Sequence, residues 1–302
     1  MRWAADAPPW GARAEAVVAL GQGFFREAGI DQAEVLAIPG EHAALDALLS
    51  GEVDFVSGLS RKVFIAQAQG APLRIVGMSK NRLRAGLALD PGLGGDALKL
   101  KGKTVAVGIF GAVVERLSRM SVEILGLRQE DVSYVEVGTG SKRIQAVLDG
   151  QVQAAIMMNS HVEAARLAGL DMRETISDLY PRYAFHVISA TAETLERRPE
   201  LVAAMLEGCL RGHRLLLDES RVDEVAQHFA AQMPGGGRHE WELERQDLIK
   251  SCTHDLELDD QAFESAVDFE QQWGLLPPDY DYRPAIAPQP LAEARARIDA
   301  RG

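Results

Sequence analysis

Short apolar runs alternate with helix-length stretches through the first 190 residues, and this alternation constrains the fold more than any other feature. Strand-like runs fall at 3–7, 33–38, 53–57, 73–78 and 85–89, with helical patterns at 12–28, 42–49 and 61–69. Glycines close three of these helices, at Gly29, Gly51 and Gly70, as expected where a chain leaves a helix in the left-handed region. After the turn-rich Asp90-Pro91-Gly92-Leu93-Gly94-Gly95 the pattern restarts. Strands are expected at 104–107, 132–137, 152–158 and 184–189, with helices at 112–125, 141–148 and 161–168 between them. Strands that alternate with helices predict mostly parallel sheets. The two runs predict two α/β units, roughly 1–90 and 95–182, followed by a helical segment. Helices then dominate, at 199–217, 221–232, 240–252 and 260–272. The proline-rich stretch 277–284 is expected to wrap the surface without regular structure.

Composition narrows the function. The chain has 302 residues, 47% hydrophobic and 25% charged, so it can bury a core in each of two domains. A net charge of -12 leaves no basic face for phosphates and argues against nucleic acid as a partner. Cys209 and Cys252 have no metal-like spacing, and no two histidines stand at i, i+4, so no metal or cofactor is expected. No stretch approaches the roughly 20 apolar residues of a membrane span. The start, Met1-Arg2-Trp3-Ala4-Ala5-Asp6, lacks the pattern of a secretory leader. A cytoplasmic location is expected for the chain as it stands, and a periplasmic one if a leader has been trimmed.

In open α/β sheets ligands bind beyond the carboxyl ends of the strands. The run Val53 to Ser79 has two such ends, Ser57-Gly58-Leu59-Ser60 and Met78-Ser79. Gly108-Ile109-Phe110-Gly111 opens a helix after a strand, and suits either a tight turn or an anion on backbone amides. Gly102-Lys103-Thr104 mimics part of a P-loop, but Ala97 stands where the first glycine belongs and the triplet precedes its strand. Cations near the strand ends, among them Arg61, Lys62, Lys80, Arg82, Arg84, Lys142 and Arg143, suit a carboxylate or sulfonate, or simply a solvated surface. His42, His161 and His186 are candidate acid–base groups, or structural histidines. Trp10 could stack on an aromatic ligand.

The stretches FFREAGI, ALLSGEVDFVSGLS, AQAQGAPLRIVG, LKGKTVAVGIFGAVVE and AVLDGQVQAAIMM follow one another in the chain. In that order they resemble the type II periplasmic binding proteins of the nitrate, sulfonate and taurine group, whose fold is shared by the thiamin-pyrimidine synthases. The resemblance covers about residues 3–275. It implies two Rossmann-like lobes, lobe one from 1–88 plus 187–302 and lobe two from 89–186, hinged around a central cleft, joined by two crossing strands, with the C-terminal helices packed on lobe one. It also implies ligand contacts at Trp10, Gly58, Leu59, Ser60, Met78, Ser79, Lys80, Ile109, Phe110, Gly111, Asn159, His161, Tyr183 and His186. Two enzyme chemistries known on this fold lack their residues here. Gly58 and Lys62 stand where the synthases would place a lysine and a histidine, and Ala7 where the aromatic sulfinate desulfinases would place a nucleophilic cysteine. The expectation is a substrate-binding protein of an ABC transporter, holding a small organic anion for a permease. The alternative is a cytoplasmic enzyme on the same fold, a decarboxylase, desulfinase-like lyase or dehydratase acting on an aromatic acid, with His42, His161 or His186 in catalysis. A sensor module is a third reading.

Overall fold

The computed structural model describes residues 1–7, 12–39, 42–230 and 238–300. Its contacts divide the chain into two compact units. Unit 1 comprises Met1–Asn81, Arg182–Trp241 and Cys252–Gly302, and unit 2 comprises Arg82–Pro181 and Glu242–Ser251.

The chain begins in unit 1 with β1 (Arg2–Ala7), α1 (Ala14–Gly21), α2 (Phe24–Glu27), β2 (Glu34–Pro39), α3 (Ala43–Leu49), β3 (Phe55–Leu59), α4 (Ser60–Ala68) and β4 (Leu73–Lys80). Unit 2 follows with β5 (Ala85–Leu89), β6 (Thr104–Val107), α5 (Val113–Ile124), β7 (Ser133–Glu136), α6 (Gly140–Leu148), β8 (Ala154–Met158), α7 (Ser160–Leu167), β9 (Asp171–Arg173) and α8 (Thr175–Leu179). The remainder is β10 (His186–Thr191), α9 (Ala192–Arg197), α10 (Pro199–Leu217), α11 (Val222–Ala230), α12 (Arg238–Ser251), α13 (Asp260–Gln272) and α14 (Gln289–Asp299).

Sheet A, in unit 1, has the order β2-β1-β3-β10-β4, and sheet B, in unit 2, the order β7-β6-β8-β5-β9. In each sheet four strands run one way and one runs against them. The exceptions are β10, antiparallel to β3 and β4, and β5, antiparallel to β8 and β9. The mostly parallel α/β character expected from the sequence is present in both sheets. Sheet A buries Trp3 between Phe25 and Phe55, with both ring centroids at 6.4 Å. Helix α10 lays Val202, Met205, Leu206, Cys209 and Leu210 into the same core. Sheet B has its own core of small and branched side chains, among them Ala106, Val147, Ala155, Met157 and Val162.

Three expectations change. The helix expected over 12–28 is two helices, because Gly23 takes φ 77° and ends the hydrogen-bond ladder between them. The short, polar β9 and α8 carried too little periodicity to be read. The stretch 277–284 has no strand or α-helix and is mostly exposed, as expected, but Tyr282 within it and Ala285 and Ala287 just beyond it are buried. The Ala287 amide donates to the Ile75 carbonyl at 2.9 Å, and Phe64, Phe263, Tyr280 and Tyr282 form an aromatic cluster. Helix α14 then packs on α10.

Candidate functional site

In unit 1, β1 to β4 share one direction, so their carboxyl ends lie along one edge of sheet A, where antiparallel β10 begins. His186 pairs with Leu59 on one side and Lys80 on the other, and Gly58 pairs with Val187. The side chains here are built inward. Ser60 is buried and its hydroxyl donates to the Ala184 carbonyl. The Met78 carbonyl accepts from Thr253 Oγ1 at 2.5 Å, and the Ser79 carbonyl from the Thr253 amide at 3.0 Å. Lys80 is 1% exposed, and its carbonyl accepts from the Phe185 amide at 2.9 Å. Tyr183 is buried against Phe269, with its hydroxyl 3.4 Å from Glu270 Oε1. His186 stacks on Phe185, ring centroids 4.4 Å apart. Trp10 lies outside the described residues. His42 is exposed at the start of α3, after the carboxyl end of β2, in a surface groove shared with Asp46, Arg61 and Lys62.

Sequence reasoning missed Glu15 here. It is the one charged residue in Ala14–Gly21, and it is 1% exposed. Burial pushes its carboxyl up to about 7, against the opposing pull of its own backbone amide, of Lys80 and of Ser79. A lone acid in an otherwise apolar helix was the signal available.

In unit 2 the parallel strands β6, β7 and β8 end on one edge of sheet B. At that edge follow Ile109, Phe110 and Gly111, all solvent-facing, after β6, and Asn159 and His161 after β8. The loop amides already have acceptors: Phe110 N–H donates to Glu136 Oε1 and Gly111 N–H to Glu115 Oε2, each at 2.6 Å. Glu115 is held below the usual carboxylate range, first by the Gly111 amide, against the effect of burial, with help from Arg119. The turn attracts negative charge, as its position at a helix start dictates, and the chain supplies that charge itself.

Asn159 joins β8 to α7 with φ 51° and ψ -131°. A side chain in that region costs about 1–3 kcal/mol, a strain that persists only where the surroundings enforce it. Its amide donates to the Arg84 carbonyl at 2.9 Å and its carbonyl accepts from the Val162 amide at 2.9 Å. This sharp turn presents His161, whose ring lies so close to Gly140 that a Cβ there would come within 2.3 Å of it. Ser141 Oγ stands 3.4 Å from His161 Nε2.

Arg143, in the first turn of α6, completes the edge. It is 6% exposed, and its Nε donates to the Ile156 carbonyl at 2.8 Å while Nη1 donates to the Gly138 carbonyl. Among the described residues no carboxylate pairs with it. Burial lowers its pKa to about 10, so it remains a cation at neutral pH. The His161 pKa is lowered by burial and then by the Arg143 charge, with Asp247 opposing, which favours the neutral imidazole. Arg84 is different. Its guanidinium meets Glu163 at 2.7 Å, Glu174 at 3.0 Å and Asp247 at 3.5 Å, so this cation of the sequence reading is committed to carboxylates within the unit.

Among the described residues no group of three or more His, Cys, Asp or Glu side chains could hold a metal ion, and no helix is long and apolar enough to cross a membrane. Cys209 is buried and Cys252 half-buried, both as free thiols.

Solved structures share this architecture. The putative periplasmic sulfonate-binding protein SsuA from Methylobacillus flagellatus KT superposes with a TM-score of 0.72 at 16% identity, over 100% of this chain and 95% of that one. The periplasmic aliphatic sulphonate binding protein SsuA from Escherichia coli gives 0.69 at 18% identity, over 95% and 91%. The desulfurization enzyme DSZB gives 0.76 at 16% identity, over 99% and 100%. At these identities the likeness is one of fold. No curated protein sequence matches the chain significantly. The family described as NMT1/THI5 like matches residues 12–220. That match spans every strand except β1 and covers both sheets, and it agrees with the resemblance read from the sequence: the chain belongs to the NMT1/THI5-like family.

Proposed function

We propose that this protein binds a small organic anion, a sulfonate or carboxylate, at the carboxyl ends of its strands, as the substrate-binding component of an ABC importer. Arg143 anchors the anion in unit 2 and His161, Asn159 and Phe110 surround it. The observation that carries this reading is Arg143, a buried guanidinium with carbonyl partners and no carboxylate among the described residues. A buried cation without an anion is costly, and a planar fork suits the oxygens of a sulfonate or carboxylate. Sulfonate-binding structural neighbours support the class of ligand, and with it a permease as partner and a periplasmic location.

The test is calorimetric titration with methanesulfonate, benzenesulfonate, benzoate and nitrate. At least one is expected to bind, and Arg143→Gln is expected to weaken it about 10- to 100-fold, the worth of a charged hydrogen bond. Unchanged affinity in Arg143→Gln would remove the anchor from the reading. A second reading, an enzyme acting on an aromatic acid, is favoured by the largely neutral His161 beside Arg143, a pairing suited to a general base. Mass spectrometry of the probe after incubation separates the two: recovered intact, it supports binding; consumed, it supports catalysis.

A further inference from the structure

A cavity of about 820 Å³ opens on unit 2, and every residue that lines it belongs to that unit. Arg143 is not part of its wall. Five cations are: Arg82 and Arg84 ahead of β5, Arg166 on α7, Arg173 on β9 and Lys250 on α12. Glu174 and Asp178 are the acids on the same wall. The whole chain has a net charge of -12, so this wall locally reverses its sign. Carbon surface is present as well, from Met172 and from the exposed side chain of Ile124.

The carboxylates that balance these cations are the more deeply set partners. Arg166 meets Glu174 at 2.6 Å, with side chains 41% and 17% exposed, and Lys250 meets Glu163 at 2.7 Å, with 42% and 12%. Arg173 meets Asp171 at 2.8 Å, with 39% and 30%. Each pair therefore turns its cation outward. Arg166 and Lys250 each donate one hydrogen bond to a carboxylate among the described residues. A guanidinium has five N–H groups and an ammonium three, so donors are left over. Arg84 plays another part: it is buried, ties Glu163, Glu174 and Asp247 together, and so fixes the wall from behind. Arg82 is exposed and makes no hydrogen bond or ion pair among the described residues.

We propose that this cavity is a second ligand site, which takes a small organic polyanion carrying two or more carboxylate or phosphate groups. One anionic group on one exposed cation gains at most about 1 kcal/mol. Several groups on one molecule reach cations from four places in the chain at once, and the gains add without a second loss of molecular freedom. Cations already held by set-back carboxylates also have less side-chain freedom to lose on binding than free surface lysines. Met172 and Ile124 receive the carbon body of the ligand. The inference is independent of the anion site around Arg143.

The experiment is titration calorimetry of the full chain with citrate and with ADP, and with acetate as the singly charged comparison. Citrate or ADP is expected to bind at least about tenfold more tightly than acetate, and Arg82→Gln to weaken that binding about tenfold. Arg82 has no partner to lose, so the ligand-free variant is expected to melt with the wild type. Failure of both polyanions to bind, or binding no tighter than that of acetate, overturns the proposal. So does an affinity unchanged in both Arg82→Gln and Arg173→Gln. Amide exchange of the wild type with bound citrate or ADP locates the ligand without any variant. Protection is expected across 82–84 and 172–178. Protection at 138–143 and 159–161 instead would put the polyanion at the Arg143 edge and overturn the second site.

Discussion

At the scale of single residues, the two edges differ in what their charges cost. Arg143 keeps its charge in a nearly dry position because carbonyls at Ile156 and Gly138 receive it, while burial outweighs the groups that stabilise ionised Glu15 and pushes it toward neutrality. Its folded-state pKa, about 7, lies above the ordinary 4.5. The folded protein therefore binds the proton more tightly than the unfolded chain. Below pH 4.5 both states hold it and stability is unaffected. Stability falls as pH rises from 4.5 to 7 and then levels, at a loss of about 3 kcal/mol. Glu15→Gln, which cannot ionise, is expected to melt near the wild type at pH 5 and several degrees higher at pH 8. Identical pH profiles of melting temperature for the two proteins would show that Glu15 ionises as freely as a surface carboxyl.

At the scale of elements, the helix segment Glu242–Ser251 is held in unit 2 by charge rather than by a large apolar face. Asp247, fully buried, reaches Arg84 at 3.5 Å, and Lys250 reaches Glu163 at 2.7 Å. Glu163 and Glu174 also bind Arg84, and Arg166 reaches Glu174 at 2.6 Å. Removing the central cation leaves three carboxylates close together with their partners at the rim. Arg84→Gln is expected to destabilise the protein by about 3–5 kcal/mol, with faster amide exchange across 242–251. Unchanged exchange there would mean that apolar contacts hold the segment. The elements also show what sequence patterns conveyed. The glycine turn Gly108 to Gly111 was legible as a helix start that attracts anions. That Glu115 and Glu136 would occupy its amides was not, because those carboxylates arrive from α5 and from a neighbouring strand.

At the scale of the whole molecule, each unit has its own sheet and its own apolar core, so each carries the means to unfold cooperatively by itself. Scanning calorimetry is expected to give an enthalpy larger than the van't Hoff value, the signature of more than one cooperative unit. A ratio of one would show that the chain melts as a single unit. Much of this architecture was determined by the sequence alone. Strand–helix alternation, the restart after Gly95 and the amphipathic run of α10 fix element type, sheet direction and family resemblance, because each is a local pattern of periodicity and turn chemistry. The same pattern placed Asn159, His161 and Phe110 at strand ends. The tertiary structure alone decided which charges remain available. Arg84 and Arg143 read alike in the sequence, yet three carboxylates distant in the chain surround the first, while among the described residues only carbonyls receive the second. Glu15 drew no reading from the sequence, because only the packing of α1 against α10 buries it. Burial and charge pairing depend on groups far apart in sequence, and only the folded chain brings them within reach of one another.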